Sequence, residues 1–428
     1  MEIKITDLGN NAEGIGRNND KVCFVPFSLP NEICEVEIIK QNKSFDFCKL
    51  KNIIKSSEDR IIPKCKYFYK CGGCNLQHYS YDKQLDFKTK LVQNCFNKNY
   101  KLSSTVVNKT ISSTEYNYRN KMVFQVSKIN NQTIIGMFEN GSHNISQIEY
   151  CAISSLKINE QLTKIKQYIK KYKIDGYDNK IKKGYLKHIL LRELDNKISL
   201  TFIVNENKNL FTNLNELDID EIYLNINKSD NEILSTNSKL IYGNKIIYTE
   251  QNLKLEITPN SFMQVNDYIK TKIYNDVLNL VNKKIIINAY SGAGLLSALL
   301  SKNTKFVYGV EINQNASLDA DKMIKNNNIN NVKNICGDFL IVYPKLIEQI
   351  NSTFTLVVDP PRSGVNKEIL ELINNTKNCA DLVYISCNPS TLTRDLNLLT
   401  NFKIIKIQPY DMFPQTSHIE TLVYLKKQ

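Results

Sequence analysis

Cys387 lies in Ile385-Ser386-Cys387-Asn388-Pro389, after the apolar run Asp381-Leu382-Val383-Tyr384 and before leucines at Leu392, Leu396 and Leu399. The pattern predicts a strand, a tight turn and a helix, with Asn388 as N-cap and Pro389 in the first helical position. A thiol at that junction is a candidate nucleophile, because unpaired helix N–H groups favour thiolate and can lower its pKa from ~8.5 towards neutrality. A cysteine on an apolar strand also serves as a small buried hydrophobe, so the nucleophile reading depends on what gathers around it. Glu420 sits in the run Ile419 to Leu425 just after His418, Asp359 begins Asp359-Pro360-Pro361-Arg362, and Asp338 follows the run Val332 to Cys336. Ser291-Gly292-Ala293-Gly294-Leu295 can turn tightly against a ligand, and Glu311, nineteen residues after Gly292, can accept hydrogen bonds from ribose hydroxyls. Ser297 stands where a dinucleotide fingerprint has its third glycine. A cofactor with ribose but no pyrophosphate, such as S-adenosylmethionine, therefore fits better than NAD.

The surrounding rhythm supplies the elements that must hold these groups. From about Ile257 onward a helix at Tyr268 to Val281 and strands at Lys284 to Ala289, Phe306 to Glu311, Phe354 to Asp359, Asp381 to Ser386 and Phe402 to Gln408 alternate with helical segments. That alternation predicts a mostly parallel sheet wound on both faces, with ligands at its carboxyl edge. Between about Tyr116 and Lys254 the pattern is mixed, with strands at Met122 to Val126 and Ile198 to Val204 and an amphipathic helix near Ile158 to Tyr172. Arg119-Asn120-Lys121 and the run Lys187 to Arg192 put basic groups at strand ends there, suited to gripping phosphates or to forming a solvated face. A further helix is expected at Tyr81 to Asn97. At the N-terminus the runs Glu2 to Leu8, Val22 to Val25, Cys34 to Lys40 and Phe45 to Ile54 predict a small β-barrel.

Cys65, Cys71 and Cys74 are spaced C-x5-C-x2-C, with Gly72 and Gly73 in the tight pair, and Cys151 is the best candidate for a fourth ligand. By count, four thiolates suit zinc and an iron–sulfur cluster equally well. The odd total of eleven cysteines and a start, Met1-Glu2-Ile3-Lys4, without an apolar signal segment predict a reducing cytoplasm and metal rather than disulfides. No uninterrupted apolar run approaches the ~20 residues that span a bilayer, so no membrane is expected. A net charge of +13 favours a polyanion, nucleic acid first, through counterion release. A Lys-, Asn- and Ile-rich composition produces the same charge without any partner.

Several of these segments resemble known families. Glu13-Gly14-Ile15-Gly16-Arg17, Val22-Cys23-Phe24-Val25-Pro26 and Leu29-Pro30-Asn31-Glu32 resemble a TRAM domain, an RNA-binding barrel. Asn31 replaces a usual glycine there, and asparagine tolerates the positive φ that such a turn needs. Ser261-Phe262-Met263-Gln264-Val265-Asn266, the glycine turn, Asp359-Pro360-Pro361-Arg362, Ser386-Cys387-Asn388-Pro389 and His418-Ile419-Glu420-Thr421 resemble the RNA uracil-C5 methyltransferases. The cysteine quartet, Tyr118-Arg119-Asn120-Lys121 and Glu139-Asn140-Gly141-Ser142-His143 resemble the 23S ribosomal RNA branch, which carries a [4Fe–4S] cluster.

The resemblance covers essentially the whole chain. It implies an α/β Rossmann-like class I methyltransferase domain using S-adenosylmethionine (77–111 with 257–428), a TRAM (OB-like) β-barrel (1–57) and an α+β central iron–sulfur domain (58–76 with 112–256). It implies that Gln264, Tyr290, Gly292, Gly294, Glu311, Asp338 and Asp359 line the cofactor and uracil pocket, and that Cys65, Cys71, Cys74 and Cys151 hold the cluster. It also implies an RNA substrate, 23S rRNA first, and a cytoplasmic monomer with no obligate protein partner.

The chemistry agrees. C5 of uracil is a poor nucleophile, so a thiolate, Cys387, must add at C6 before C5 can take a methyl group, and a base, Glu420, must then remove the C5 proton. A base stacked in RNA must be flipped out first. Asn288 replaces a usual aspartate, which removes a carboxylate partner for the cofactor ammonium, and Ser291 replaces a common cysteine. Alternatives are a tRNA T-loop uracil methyltransferase, whose usual bacterial form lacks the quartet and the barrel, a non-catalytic RNA-binding protein, and a zinc-binding protein methyltransferase. Neither of the last two needs Cys387 paired with Glu420.

Overall fold

The computed structural model describes residues 1–100, 106–179, 181–208, 210–229 and 231–428, so residues 101–105 of the expected 77–111 segment lie outside the described residues. Strands β1 (Glu2–Leu8), β2 (Gly14–Asn18), β3 (Lys21–Val25), β4 (Ile33–Gln41) and β5 (Phe45–Lys55) close into a barrel in the order β1-β2-β3-β5-β4. Alternating residues Ile3, Ile5, Cys23, Val25, Cys34, Val36 and Cys48 fill its interior, the period-2 pattern that makes these runs strands. Asn31 takes φ +70° as expected. Glu32 beside it is buried and accepts from Leu29 N (2.8 Å) and Arg60 Nε (2.6 Å), which ties the barrel to the segment that follows.

Helix α1 (Tyr81–Asn99) comes next, but it packs on the far end of the chain. Val92 and Phe96 join a core with Ile287, Leu382, Ile419 and Val423. Its fully buried Lys88 pairs with the fully buried Asp411 and donates to Phe413 O at 3.0 Å. The central unit is a seven-stranded sheet: β6 (Lys121–Ile129), β7 (Gln132–Phe138), β8 (Ile145–Gln147), β9 (Leu186–Leu194), β10 (Lys197–Val204), β11 (Glu221–Ile226) and β12 (Ser238–Gly243), ordered β12-β11-β10-β9-β6-β7-β8. Helix α2 (Leu156–Lys171), capped by Ser155, lays Ile158, Leu162, Ile165 and Ile169 on that sheet. A hairpin of β13 (Ile247–Glu250) and β14 (Leu253–Glu256) leads into the last unit.

There, α3 (Asp267–Leu280), β15 (Ile285–Ala289), α4 (Leu295–Ser301), β16 (Phe306–Glu311), α5 (Gln314–Asn326), β17 (Val332–Cys336), α6 (Phe339–Gln349), β18 (Phe354–Val358), α7 (Lys367–Asn375), β19 (Cys379–Ser386), α8 (Pro389–Leu396), β20 (Phe402–Tyr410) and β21 (Glu420–Lys427) follow in turn. The sheet order is β17-β16-β15-β18-β19-β21-β20. All pairs from β17 to β19 are parallel, while β21 runs antiparallel to both its neighbours. This is the doubly wound α/β fold of S-adenosylmethionine-dependent methyltransferases, with the barrel at its N-terminus. No helix among the described residues is long and apolar enough to cross a membrane.

Candidate active site

Register decides what meets at the carboxyl edge. Ala289 lies opposite both Val310 and Val358, so the next residues along, Tyr290, Glu311 and Asp359, leave the sheet side by side. Ser386 lies opposite Thr421 in the antiparallel β19–β21 pair. One step further brings Cys387, leaving its strand, against Glu420, entering its own. A parallel β21 would have put Glu420 at the opposite edge.

The glycine turn is shaped to hold a ligand. Gly292 takes φ +55° and a Cβ there would meet open space, so the cradle is bare of side chain; Gly294, at φ +81°, caps α4 where a Cβ would strike Ala320 Cβ at 2.8 Å. Tyr290 also has positive φ, +59°, an uncommon backbone for an aromatic residue and one often stored at binding sites. Glu311 accepts from Gly292 N at Oε2 (2.8 Å) and from Asn313 N at Oε1 (2.7 Å), which fixes the turn and leaves one lone pair on each oxygen for a ligand. Gln264, Tyr290, Gly292 and Asp359 line one cavity of about 60 Å³. Tyr290 and Asp338 line a second of about 750 Å³, in which Asp338 is the N-cap of α6 and accepts from Leu340 N at 2.9 Å. Asn288 donates to Ser297 Oγ at 2.8 Å, so the residues that depart from the dinucleotide and methyltransferase patterns satisfy each other.

Around Cys387 the electrostatics differ from the sequence expectation. Its thiol is held above its ordinary value by burial, then by the charge of Glu420, with Arg362 pulling it down and Asp359 pushing it up. The backbone N–H of Cys387 itself lowers it by less than any of these, and Asn388 Oδ1 already accepts from Ser390 N (3.1 Å) and Thr391 N (3.4 Å). The cap that forms the turn consumes the donors that would have stabilised the thiolate. Burial pushes Asp359 up to about 7. It raises Glu420 well above the carboxylate range too, with Asp359 adding to the rise and Arg362 opposing it.

Among the described residues Arg362 is thus the cation that acts on Cys387 and Glu420 together, and the sequence pattern gave it no role although it marked the motif that holds it. Its carbonyl accepts from Thr391 Oγ1 at 3.2 Å, and the loop after it is held by buried Asp395, which accepts from Val365 N (2.8 Å) and Tyr384 Oη (2.7 Å).

The four predicted cysteines also converge. Cys65, Cys71, Cys74 and Cys151 line a single cavity of about 400 Å³ that reaches Arg119, Lys121, Phe262 and Met263. Burial first, and neighbouring thiols of the same quartet after it, raise Cys71, Cys74 and Cys151, the last to about 11. Among the described residues no three His, Cys, Asp or Glu side chains converge as one metal ion requires; the thiols stand round a cavity wall instead.

Fold, glycine cradle and edge carboxylates define an S-adenosylmethionine-dependent methyltransferase. The chain matches the tRNA (Uracil-5-)-methyltransferase family over residues 80–337 and 346–428, and the TRAM domain over residues 1–47. It belongs to that family of RNA methyltransferases. An uncharacterized RNA methyltransferase of Clostridium acetobutylicum is 37% identical over 446 residues, all of this chain and 96% of that protein, and one of Clostridium tetani is 36% identical, covering 99% and 95%. Among solved structures, the tRNA (uracil-54, C5)-methyltransferase of Pyrococcus abyssi in complex with S-adenosyl-L-homocysteine superposes with a TM-score of 0.84 at 28% identity, covering 99% of both chains.

Proposed function

We propose that this enzyme methylates C5 of a uridine in 23S ribosomal RNA, with Cys387 as nucleophile and Glu420 as base. The observation that carries the assignment of roles is the antiparallel β19–β21 register, which sets a thiol and a carboxylate against each other beside Asp359 and Arg362. Cys387 gives its proton to solvent in the pocket it lines, its sulfur bonds to C6 of the uracil, and the C5–C6 π electron pair moves into an enolate shared by C5, C4 and O4. S-adenosylmethionine supplies the methyl group that C5 takes up. Glu420 then accepts the C5 proton, the electron pair of that bond restores the C5–C6 double bond, and the sulfur leaves C6. Arg362 stabilises both anions in turn, first the thiolate and then the carboxylate. Burial and Asp359 make Glu420 a stronger base once it is ionised, and Arg362 favours that ionised form. Gln264, Tyr290, Gly292, Gly294, Glu311, Asp338 and Asp359 would hold the cofactor and the base, and the open cradle at Gly292 fits a cofactor held close to the backbone.

The quartet of Cys65, Cys71, Cys74 and Cys151 would hold a [4Fe–4S] cluster. In support, the four thiols surround a cavity, and Gly73 N donates to Cys71 Sγ at 3.4 Å, as backbone does towards cluster-bound sulfur. A single tetrahedral zinc would hold its thiolates only about 3.8 Å apart.

Ribosomal RNA as substrate rests on the quartet and the motifs of the central unit. A tRNA uridine is the second reading, favoured by the likeness to the Pyrococcus abyssi tRNA enzyme. That enzyme covers the barrel too, so the barrel does not separate the two. Mapping 5-methyluridine in ribosomal and transfer RNA from cells with and without this protein decides between them. A missing mark in 23S rRNA supports the proposal, and a missing mark in tRNA replaces it with the second reading.

A further inference from the structure

A pocket of about 260 Å³ opens beside Cys387 and shares no residue with either cavity at the cofactor turn. Cys387 and Arg362 form one wall, Leu91 and Pro389 contribute apolar surface, and Asn10 and Asn11, from the loop between β1 and β2 of the barrel, form the opposite wall. The two walls come from units far apart in sequence, and they are bolted together. Asn75 Nδ2 donates to Asn11 O (2.7 Å) and to Ser417 Oγ (3.2 Å), and Asn75 Oδ1 accepts from Ser417 N (2.9 Å). Glu13 takes both the main-chain N–H (3.2 Å) and the side-chain amide (3.0 Å) of Asn11, so that residue is committed to shaping the loop. Asn10 is not. Among the described residues its amide makes no hydrogen bond, and it lines the pocket with a donor and an acceptor unused.

The target uracil meets this pocket at its Cys387 wall, and because it must also reach Glu420 and Asp359, which do not line the pocket, it leaves the Asn10 side free. What must lie within one phosphodiester of the target is the nucleotide joined to it. We propose that the pocket between the barrel loop and Cys387 seats the nucleobase adjoining the target uridine, with Asn10 reading its edge and Asn75 positioning the wall. An amide facing a base edge can satisfy a donor and an acceptor at once, and a base lodged there anchors the strand while its neighbour is everted towards Cys387. The barrel then selects sequence, beyond attracting phosphate.

This inference rests on the uridine methylation proposed above, and its test separates the two. Steady-state methylation would be measured for the wild type and Asn10→Ala on a short synthetic oligoribonucleotide carrying the mapped uridine, and on two versions abasic at either neighbour. In the wild type one of the two abasic RNAs should raise KM about tenfold with kcat held. Asn10→Ala should raise KM comparably on the intact RNA and lose little more on that abasic RNA, because both changes remove one interaction. Asn75→Asp keeps the acceptor for Ser417 N and loses the donor to Asn11 O, so it should raise KM for RNA and spare kcat. Losses from Asn10→Ala and the abasic site that simply multiply, or abasic RNAs as good as the intact one, would overturn the pocket while leaving the methylation reading intact. A wild-type enzyme that methylates no RNA would overturn both.

Discussion

Asp359→Asn is expected to abolish methylation and yet stabilise the protein at alkaline pH. In the folded state burial raises this carboxyl from 3.8 to about 7. Below pH 4 both folded and unfolded chains carry the proton and nothing is lost. Between about pH 4 and 7 the folded chain keeps a proton that the unfolded chain has released, so wild-type stability falls as pH rises, and above 7 it levels off. Three units at about 1.36 kcal/mol each give a total of about 4 kcal/mol, of which about 3 kcal/mol is lost between pH 5 and 8. An asparagine has no proton to lose, and removing the Asp359 charge also relieves Glu420, which acts in the same direction. Urea unfolding at the two pH values should therefore show the variant gaining about 3 kcal/mol on the wild type from pH 5 to 8, while methylation is absent at both. A gap that stays constant with pH would refute the placement of Asp359 as a desolvated acid, and a variant that still methylates would remove it from the site.

Cys387→Ala should lose methylation and form no covalent RNA species on a denaturing gel, whereas Glu420→Gln should accumulate a methylated adduct, as should wild type given 5-fluorouridine at the target. If Glu420→Gln keeps full activity without an adduct, another base, His418 being nearest in sequence, takes its role. Protein purified without oxygen should be brown with roughly four irons per chain, and Cys71→Ser should bleach it while the C-terminal sheet stays folded; a colourless protein with one zinc would contradict this. RNA affinity should fall steeply with salt, and alanine at Arg119 should reduce the slope by about 1 if it meets phosphate, while alanine at Lys121, pushed down to about 7 by burial and by Arg192 and Arg119, should reduce it less, as titrations by fluorescence anisotropy would report. Lys88→Met, which strands Asp411 in the core, should cost about 3–5 kcal/mol in urea unfolding, much of it regained in Lys88→Met with Asp411→Leu.

The strands and the two ends of the helix α8 turn were legible because their signals are local: alternation in the barrel, apolar runs in the sheet, Asn388 and Pro389 at the cap. The positions of Tyr290, Glu311, Asp359 and Cys387 at the carboxyl edge were legible for the same reason, as each ends or follows a recognisable run. What the chain order concealed is the direction of β21, which alone decides that Glu420 faces Cys387, since strand patterns read the same in both directions. The thiol's surroundings were misread because a good N-cap looks favourable in sequence, yet it satisfies the very donors a thiolate would need. Asn75 and Asn10 carried no signal at all. Asn75 acts through contacts spanning 64 and 342 residues, and Asn10 lines a pocket with Cys387, 377 residues away, which no local pattern encodes.

Helix α1 gives the fold a difficulty in time. It leaves the ribosome more than 300 residues before its partners Asp411, Ile419 and Val423. At about 5–20 residues per second, the remaining stretch to Gln428 takes roughly 15–65 s, during which Val92 and Phe96 have no core to enter and Lys88 has no counter-ion. The barrel and the central sheet, each built from neighbouring strands, can form in that interval. The catalytic unit cannot close until β21 has been made, so a chain that stops short of it carries a bare apolar helix and no active site. Premature termination then yields a species fit for a chaperone or a protease, and never an enzyme that can form a covalent adduct with RNA.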